Sequence, residues 1–161
     1  MKLREAALDF LSQKRIAVVG VSHDSDEAAN FVLRKLRDGG HEVVPVNPHM
    51  DEAEGLPCYP HLHAIPDGVD AAVVFTPPSA SADIVRECAA LGITRVWLHR
   101  ALGTGSFSED AVKVAHAEGI TLIAGGCPAM FCENADIAHR CMRWILDVAG
   151  KLPREVEAPV R

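Results

Sequence analysis

The chain has 161 residues, 48% apolar and 24% charged, with a formal net charge of −6. That is the balance of one ordinary globular domain, long enough to cover a sheet with helices on both faces, and not of a disordered chain. The acidic balance without a basic stripe speaks against nucleic-acid binding driven by counterion release. No apolar run approaches the roughly 20 residues of a membrane-spanning helix.

In chain order, residues 1–10 form a charged amphipathic stretch. It lacks the long apolar run and small-residue cleavage site of a secretory signal, so a cytoplasmic location is expected. Residues 15–20 (Arg-Ile-Ala-Val-Val-Gly) predict a first strand, apolar throughout as a strand covered on both faces must be. Ala28, Val32 and Leu36, with Ala29 and Leu33 alongside, predict a helix over 27–38. Asp24 or Ser25 is expected to cap its start, and Gly39-Gly40 to end it.

Residues 42–46 predict a second strand. Pro45 within it cannot donate to a ladder, which places the strand near an edge. The stretch 47–66 holds four prolines, Pro48, Pro57, Pro60 and Pro66, and predicts irregular chain with a short helical turn. Further strands are predicted at 70–76, 95–98 and 120–124, and helices at 79–91, 108–117 and 135–148. In the last helix Ile137, Cys141, Ile145 and Val148 recur at helical spacing. This stripe suits core packing and a homodimer contact equally.

Strands and helices alternating at this rhythm predict a three-layer, Rossmann-like α/β fold with a doubly wound, five-stranded parallel sheet. Residues 1–152 are expected to form a single domain and 153–161 a loose tail. Five cysteines, Cys58, Cys88, Cys127, Cys132 and Cys141, without a C-x-x-C pair, argue against a disulfide framework or zinc ribbon. The spacing of Cys127, Cys132, His139 and Cys141 matches no common ligand pattern, and no metal site is expected.

In such a sheet ligands bind outside the carboxyl ends of the strands, where strand order reverses. The residues to inspect are therefore Gly20-Val21-Ser22, Asn47-Pro48-His49, Thr76-Pro77-Pro78, His99-Arg100 and Gly125-Gly126-Cys127-Pro128. Of the dinucleotide fingerprint G-x-G-x-x-G only Gly20 is present. Asn47 stands where a nicotinamide site places an acid for the ribose, which argues against NAD. Asp24, Asp26 and Glu27 crowd the start of the first crossover helix and oppose an anion there. Gly103-Thr104-Gly105 looks like a phosphate loop, but Ser106-x-x-Glu109 predicts a capping box, so it reads as a structural turn. Cys127 is a nucleophile only if His99 or Arg100 lowers its pKa; a buried or ligand-lining thiol is the expectation.

Together these turns resemble small stand-alone CoA-binding proteins and the CoA-binding N-terminal domain of the succinyl-CoA synthetase alpha subunit. The resemblance spans most of 14–130. It rests on Val18-Val-Gly-Val-Ser22, Val44-Pro-Val-Asn-Pro48, Gly55-x-x-Cys-Tyr-Pro60 with Ile65-Pro66, Val69-Asp70 leading to Val74-Phe75, Val96-Trp-Leu98, and Cys127. It implies coenzyme A bound across the strand ends. The first turn (Gly20, Val21, Ser22) takes phosphate, the second strand end (Val46, Asn47, His49) faces the adenine nucleotide, and the third (Phe75, Thr76, Pro77) lies along the ligand. His99 and Cys127 complete the expected set. The chain departs from the pattern at His49, which replaces a basic residue, at Ala29-Asn30, and at Gly125-Gly126 before Cys127. The expected function is binding of CoA or acyl-CoA without an evident catalytic constellation. An acyl-handling enzyme using Cys127, or an NAD- or nucleotide-sensing regulator, stands as the alternative.

Overall fold

The apolar runs become strands because a strand covered on both faces has no solvent side to make polar. In the computed structural model, which describes residues 1–156, the elements are α1 (Leu3–Leu11), β1 (Arg15–Val19), α2 (Ala28–Asp38), β2 (Glu42–Val46), a small hairpin of β3 (Glu52–Ala53) and β4 (Leu56–Pro57), and a 3-10 turn (Leu62–Ala64). They continue as β5 (Ala71–Val74), α3 (Pro78–Ala90), β6 (Arg95–Leu98), α4 (Glu109–Ala117), β7 (Thr121–Ala124), a second 3-10 turn (Pro128–Met130) and α5 (Ile137–Val148).

The five longer strands form one parallel sheet in the order β2-β1-β5-β6-β7. This is the predicted α/β Rossmann-like fold, with β2 and its Pro45 on an edge. Successive side chains leave a strand on opposite faces, so β1 feeds two cores. Ile16 and Val18 pack with Phe10 of α1, Leu33 and Leu36 of α2, and Trp97. Ala17 and Val19 pack with Val85 and Cys88 of α3 and Ala111 of α4. Trp97 is fully buried, its ring edge-on to Phe10 at 5.3 Å and its Nε1 donating to the Gly125 carbonyl at 2.9 Å. That bond satisfies the one polar atom of the largest core side chain. None of the helices is long and apolar enough to cross a membrane among the described residues.

Several expectations change. The N-terminal stretch is a full helix, α1, buried through Ala6, Ala7 and Phe10 and tied to β6 by Asp9 and Arg95 at 2.7 Å. The cap of α4 is Ser108, whose side chain accepts from the Ala111 amide, rather than Ser106. Glu27 occupies the N-cap position of α2, while Asp24 accepts from the Asp26 amide at 2.9 Å in the preceding turn. The apolar stripe of α5 faces out: Ile137, Ile145 and Val148 are 78%, 53% and 70% exposed, and Trp144 beside them 68%. A one-residue offset turns a helix by about 100°, so Leu146 is buried while Ile145 is not. The rotation is held by a stack of His139 on Phe31 at 4.9 Å and by Arg143 donating to the Met130 carbonyl.

The segment 153–156 is not loose. Val156 is buried, its amide donates to the Met1 carbonyl at 2.8 Å, and Glu155 bridges to Lys2. The remainder of the predicted tail, 157–161, lies outside the described residues.

Candidate functional site

The order β2-β1-β5-β6-β7 reverses between β1 and β5, and the crevice outside their carboxyl ends is where such sheets bind ligands. Gly20 ends β1 with φ +98°, a conformation that L side chains avoid. A Cβ there would lie 3.1 Å from the Phe75 carbonyl carbon and from the Thr76 nitrogen. The two strand ends therefore touch through backbone, and only glycine permits it. On the β5 side the Thr76 carbonyl accepts from the Ser106 hydroxyl at 2.6 Å, and the Ser106 carbonyl accepts from Ser81 at 2.7 Å. Ser106 is thus a buried clamp between the loops after β5 and β6. Thr76 Oγ1 is the buried side-chain oxygen left without a partner among the described residues. An unsatisfied buried hydroxyl costs about 1–3 kcal/mol, and this one lies beside the switch point between β1 and β5.

The first turn is braced from α2. Asn30, 2% exposed, accepts from the Ser22 amide at 2.8 Å and donates to the Ser22 carbonyl at 2.9 Å and to Glu54 at 3.0 Å. Arg34 holds the same Glu54 carboxylate at 2.8 Å. Both backbone groups of Ser22 are therefore engaged, and its hydroxyl, which accepts from the Asp24 amide at 3.1 Å, keeps its proton to offer. The sequence marks Asn30 as a departure without showing this role; a buried amide facing a turn is visible only in three dimensions. Asn47 is also committed. It donates to the Val21 carbonyl at 2.7 Å and accepts from the His49 amide at 2.8 Å. Neither an acid nor a free amide remains there for a nicotinamide ribose.

The structure gathers part of the predicted set. Gly20, Ser22, Asn47, Phe75 and Thr76 meet around the β1 and β5 ends through the contacts above. The Phe75 ring stacks on His99 at 4.5 Å. His99 and Cys127 in turn line one recess, bounded by α2 and α5. Val21 and Val46 are buried, at 1% and 3% exposed, and their side chains belong to the cores. His49 and Pro77 are exposed. Away from these residues, at the first 3-10 turn, His61 and His63 stack on each other, and His63 bonds Glu87.

The electrostatics of His99 and Cys127 oppose a thiolate. Burial lowers the His99 pKa to about 4, so at neutral pH its ring is uncharged and cannot stabilise a neighbouring anion. Burial pushes the Cys127 thiol up to about 12, further than the backbone bonds to Ala129 and Met130 pull it down. Cys127 is therefore a neutral thiol at pH 7, and the thiolate is the nucleophile. We predict that intact protein incubated with acetyl-CoA keeps its mass at Cys127, while a maleimide labels the exposed Cys141 at once. An acetyl adduct that disappears in Cys127→Ala would overturn this.

A model of the CoA binding domain matches residues 14–133. Over 131 residues the chain is 30% identical to an ADP-forming acetate–CoA ligase I of Archaeoglobus fulgidus, covering 78% of this chain and 19% of the ligase. It thus spans about a fifth of that enzyme. It is 31% identical over 114 residues to the uncharacterized protein YneT of Bacillus subtilis, covering 71% of this chain and 82% of that one. Among solved structures, a hypothetical protein from Pyrococcus horikoshii superposes with a TM-score of 0.75 at 29% identity, over 82% of this chain and 91% of its own.

Proposed function

The chain belongs to the CoA binding domain family, and from that premise we propose that it binds coenzyme A across the carboxyl ends of its parallel strands. The observation that carries the reading is the switch-point crevice itself, where the orphan Thr76 hydroxyl stands beside the glycine-only contact at Gly20. The residues present fit such a ligand. The turn after Gly20, through the Val21 amide and the Ser22 hydroxyl, faces its phosphates, the Gly20 amide itself being held by the Val46 carbonyl at 2.9 Å. The backbone end of β2 at Val46 and Asn47, with the exposed His49, borders the adenine nucleotide. Phe75, Thr76 and Pro77 lie along the pantetheine arm, and His99 and Cys127 stand at its far end. Coenzyme A supplies a thiol that carries acyl groups as thioesters; the residues of this chain bind and orient it. With Cys127 held as a thiol and His99 weakened as a base by burial, the site reads as a binding site and the protein as a cytoplasmic carrier or sensor of this ligand.

Calorimetry with coenzyme A, dephospho-CoA, NAD and ATP tests the proposal. Coenzyme A is expected to bind in the micromolar range, about −8 kcal/mol, and NAD more weakly, because both polar ends of Asn47 are engaged internally. Thr76→Val is expected to keep or raise stability, since it removes an unpaired buried hydroxyl, yet to weaken coenzyme A binding by roughly three- to tenfold. Coenzyme A binding weaker than about 1 mM overturns the proposal.

A further inference from the structure

Beside the switch point lies an apolar recess that a nucleotide does not need. Its volume is about 410 Å³, within the ~300–1,000 Å³ range of small-ligand sites. Phe31 and Val32 of α2, Met130 of the second 3-10 turn, and Ala138 and Met142 of α5 form its walls. Asp26, Arg34 and His139 stand among its lining residues. Arg34 is held by Glu54 and by the Ser25 carbonyl, and His139 by Asp136. The recess adjoins the proposed ligand crevice across one pair of stacked rings. His99 lines it and stacks on Phe75, whose backbone touches Gly20.

We infer that this recess holds the hydrocarbon part of an acyl group carried on coenzyme A, so that the chain selects acyl-CoA thioesters over free coenzyme A. The inference rests on the coenzyme A reading above and names its ligand class. Apolar walls hold a hydrocarbon by excluding water from it, and they gain little from a chain ending in a second carboxylate, since the charge of the lining Arg34 is already paired with Glu54 at 2.8 Å. Cys127 in the wall is a thiol and His99 a neutral imidazole at pH 7. With the proton held on Cys127 and the basicity of His99 lowered by burial, neither is activated to attack the thioester carbonyl, and the acyl group's bond to sulfur stays intact.

The test is calorimetry with coenzyme A and with acetyl-, butyryl-, hexanoyl- and succinyl-CoA, on the native chain and on two variants. Ala138→Trp plugs the recess from an exposed position on α5, and Met142→Glu places a charge in its wall. The native chain is expected to bind hexanoyl-CoA at least tenfold more tightly than coenzyme A. Affinity should rise by about fourfold per methylene buried, the ~0.8 kcal/mol of one CH₂ converted, and succinyl-CoA should gain nothing. Both variants are expected to lose the hexanoyl gain and to bind coenzyme A as the native chain does. Equal affinity for all five ligands overturns the inference and leaves the coenzyme A reading standing. A hexanoyl gain that survives Ala138→Trp, or an Ala138→Trp loss shared equally by free coenzyme A, also overturns it, because the recess then holds something else. Absence of binding by any of the ligands removes both readings together.

Discussion

Replacing Gly105 by alanine is expected to lower the unfolding free energy by about 3 kcal/mol, a substantial part of the ~5–15 kcal/mol of a typical domain. Gly105 sits at φ +54° in the loop after β6. A Cβ there would overlap the His99 carbonyl oxygen and lie 2.8 Å from the Arg100 Cα. Both neighbours are backbone, so no side chain can swing aside. The His99 carbonyl also accepts from the Ser106 amide at 2.8 Å, and Ser106 is the clamp on Thr76. Displacing one displaces the others, and with them the β5 side of the crevice. Gly103 provides the control. It has φ +76° and open space around its Cβ position, so Gly103→Ala carries only the left-handed penalty of about 1–2 kcal/mol. Urea unfolding of the two variants measures the difference. Equal losses would mean that the loop moves freely at Gly105 and that the Ser106 clamp is not tight.

The same loop shows how far local pattern reaches. That Gly103-Thr104-Gly105 makes a poor phosphate cradle follows from Glu109 and Asp110 in the first turn of α4, although the capping residue there is Ser108 and not the expected Ser106. That Gly105 presses on His99 does not, because nothing in the sequence measures the distance between two passes of one loop. The strands were legible for a simple reason. Runs such as Ile16-Ala-Val-Val19 are apolar on both faces only if helices cover both faces, and alternation with amphipathic helices then dictates a parallel sheet. The edge position of β2 followed from Pro45. The helix α1 is hard to see in the sequence because two of its buried positions are Ala6 and Ala7, too small to raise a strong apolar signal. The outward stripe of α5 was misleading for a different reason. Its rotation is decided by Phe31, Met130 and Lys35, residues of other segments, and Lys35 reaches the Asn134 carbonyl at 3.0 Å. The site divided along the same line. The strand-end residues come directly from topology, whereas Asn30 bracing Ser22 and the recess between α2 and α5 exist only once remote helices meet.

His99 predicts a pH dependence with a definite sign. Its pKa falls from the ordinary 6.5 to about 4 in the folded chain, through burial. Above pH 7 the ring is neutral in both folded and unfolded states, and His99 contributes no slope. As pH drops below 6.5 the unfolded chain takes up the proton and the folded chain does not, so the unfolded state binds more protons and stability falls. The loss accumulates down to about pH 4, below which both states are protonated and the slope ends. A shift of this size corresponds to roughly 3 kcal/mol at its limit, at about 1.4 kcal/mol per pKa unit. Other groups titrate in the same window, so the measurement is a difference. Unfolding free energies at pH 7.5 and 4.5 are compared between the native chain and His99→Leu, which keeps an apolar neighbour for Phe75. The native chain is expected to lose about 2–3 kcal/mol more than the variant; identical losses would show that the folded state protonates His99 at ordinary pH. The outcome bears on the ligand as well. A ring that resists protonation leaves the junction of crevice and recess uncharged, which is the condition an apolar acyl chain requires, while a ring that protonates near pH 6.5 would set an imidazolium at its mouth and tie ligand affinity to pH in the physiological range.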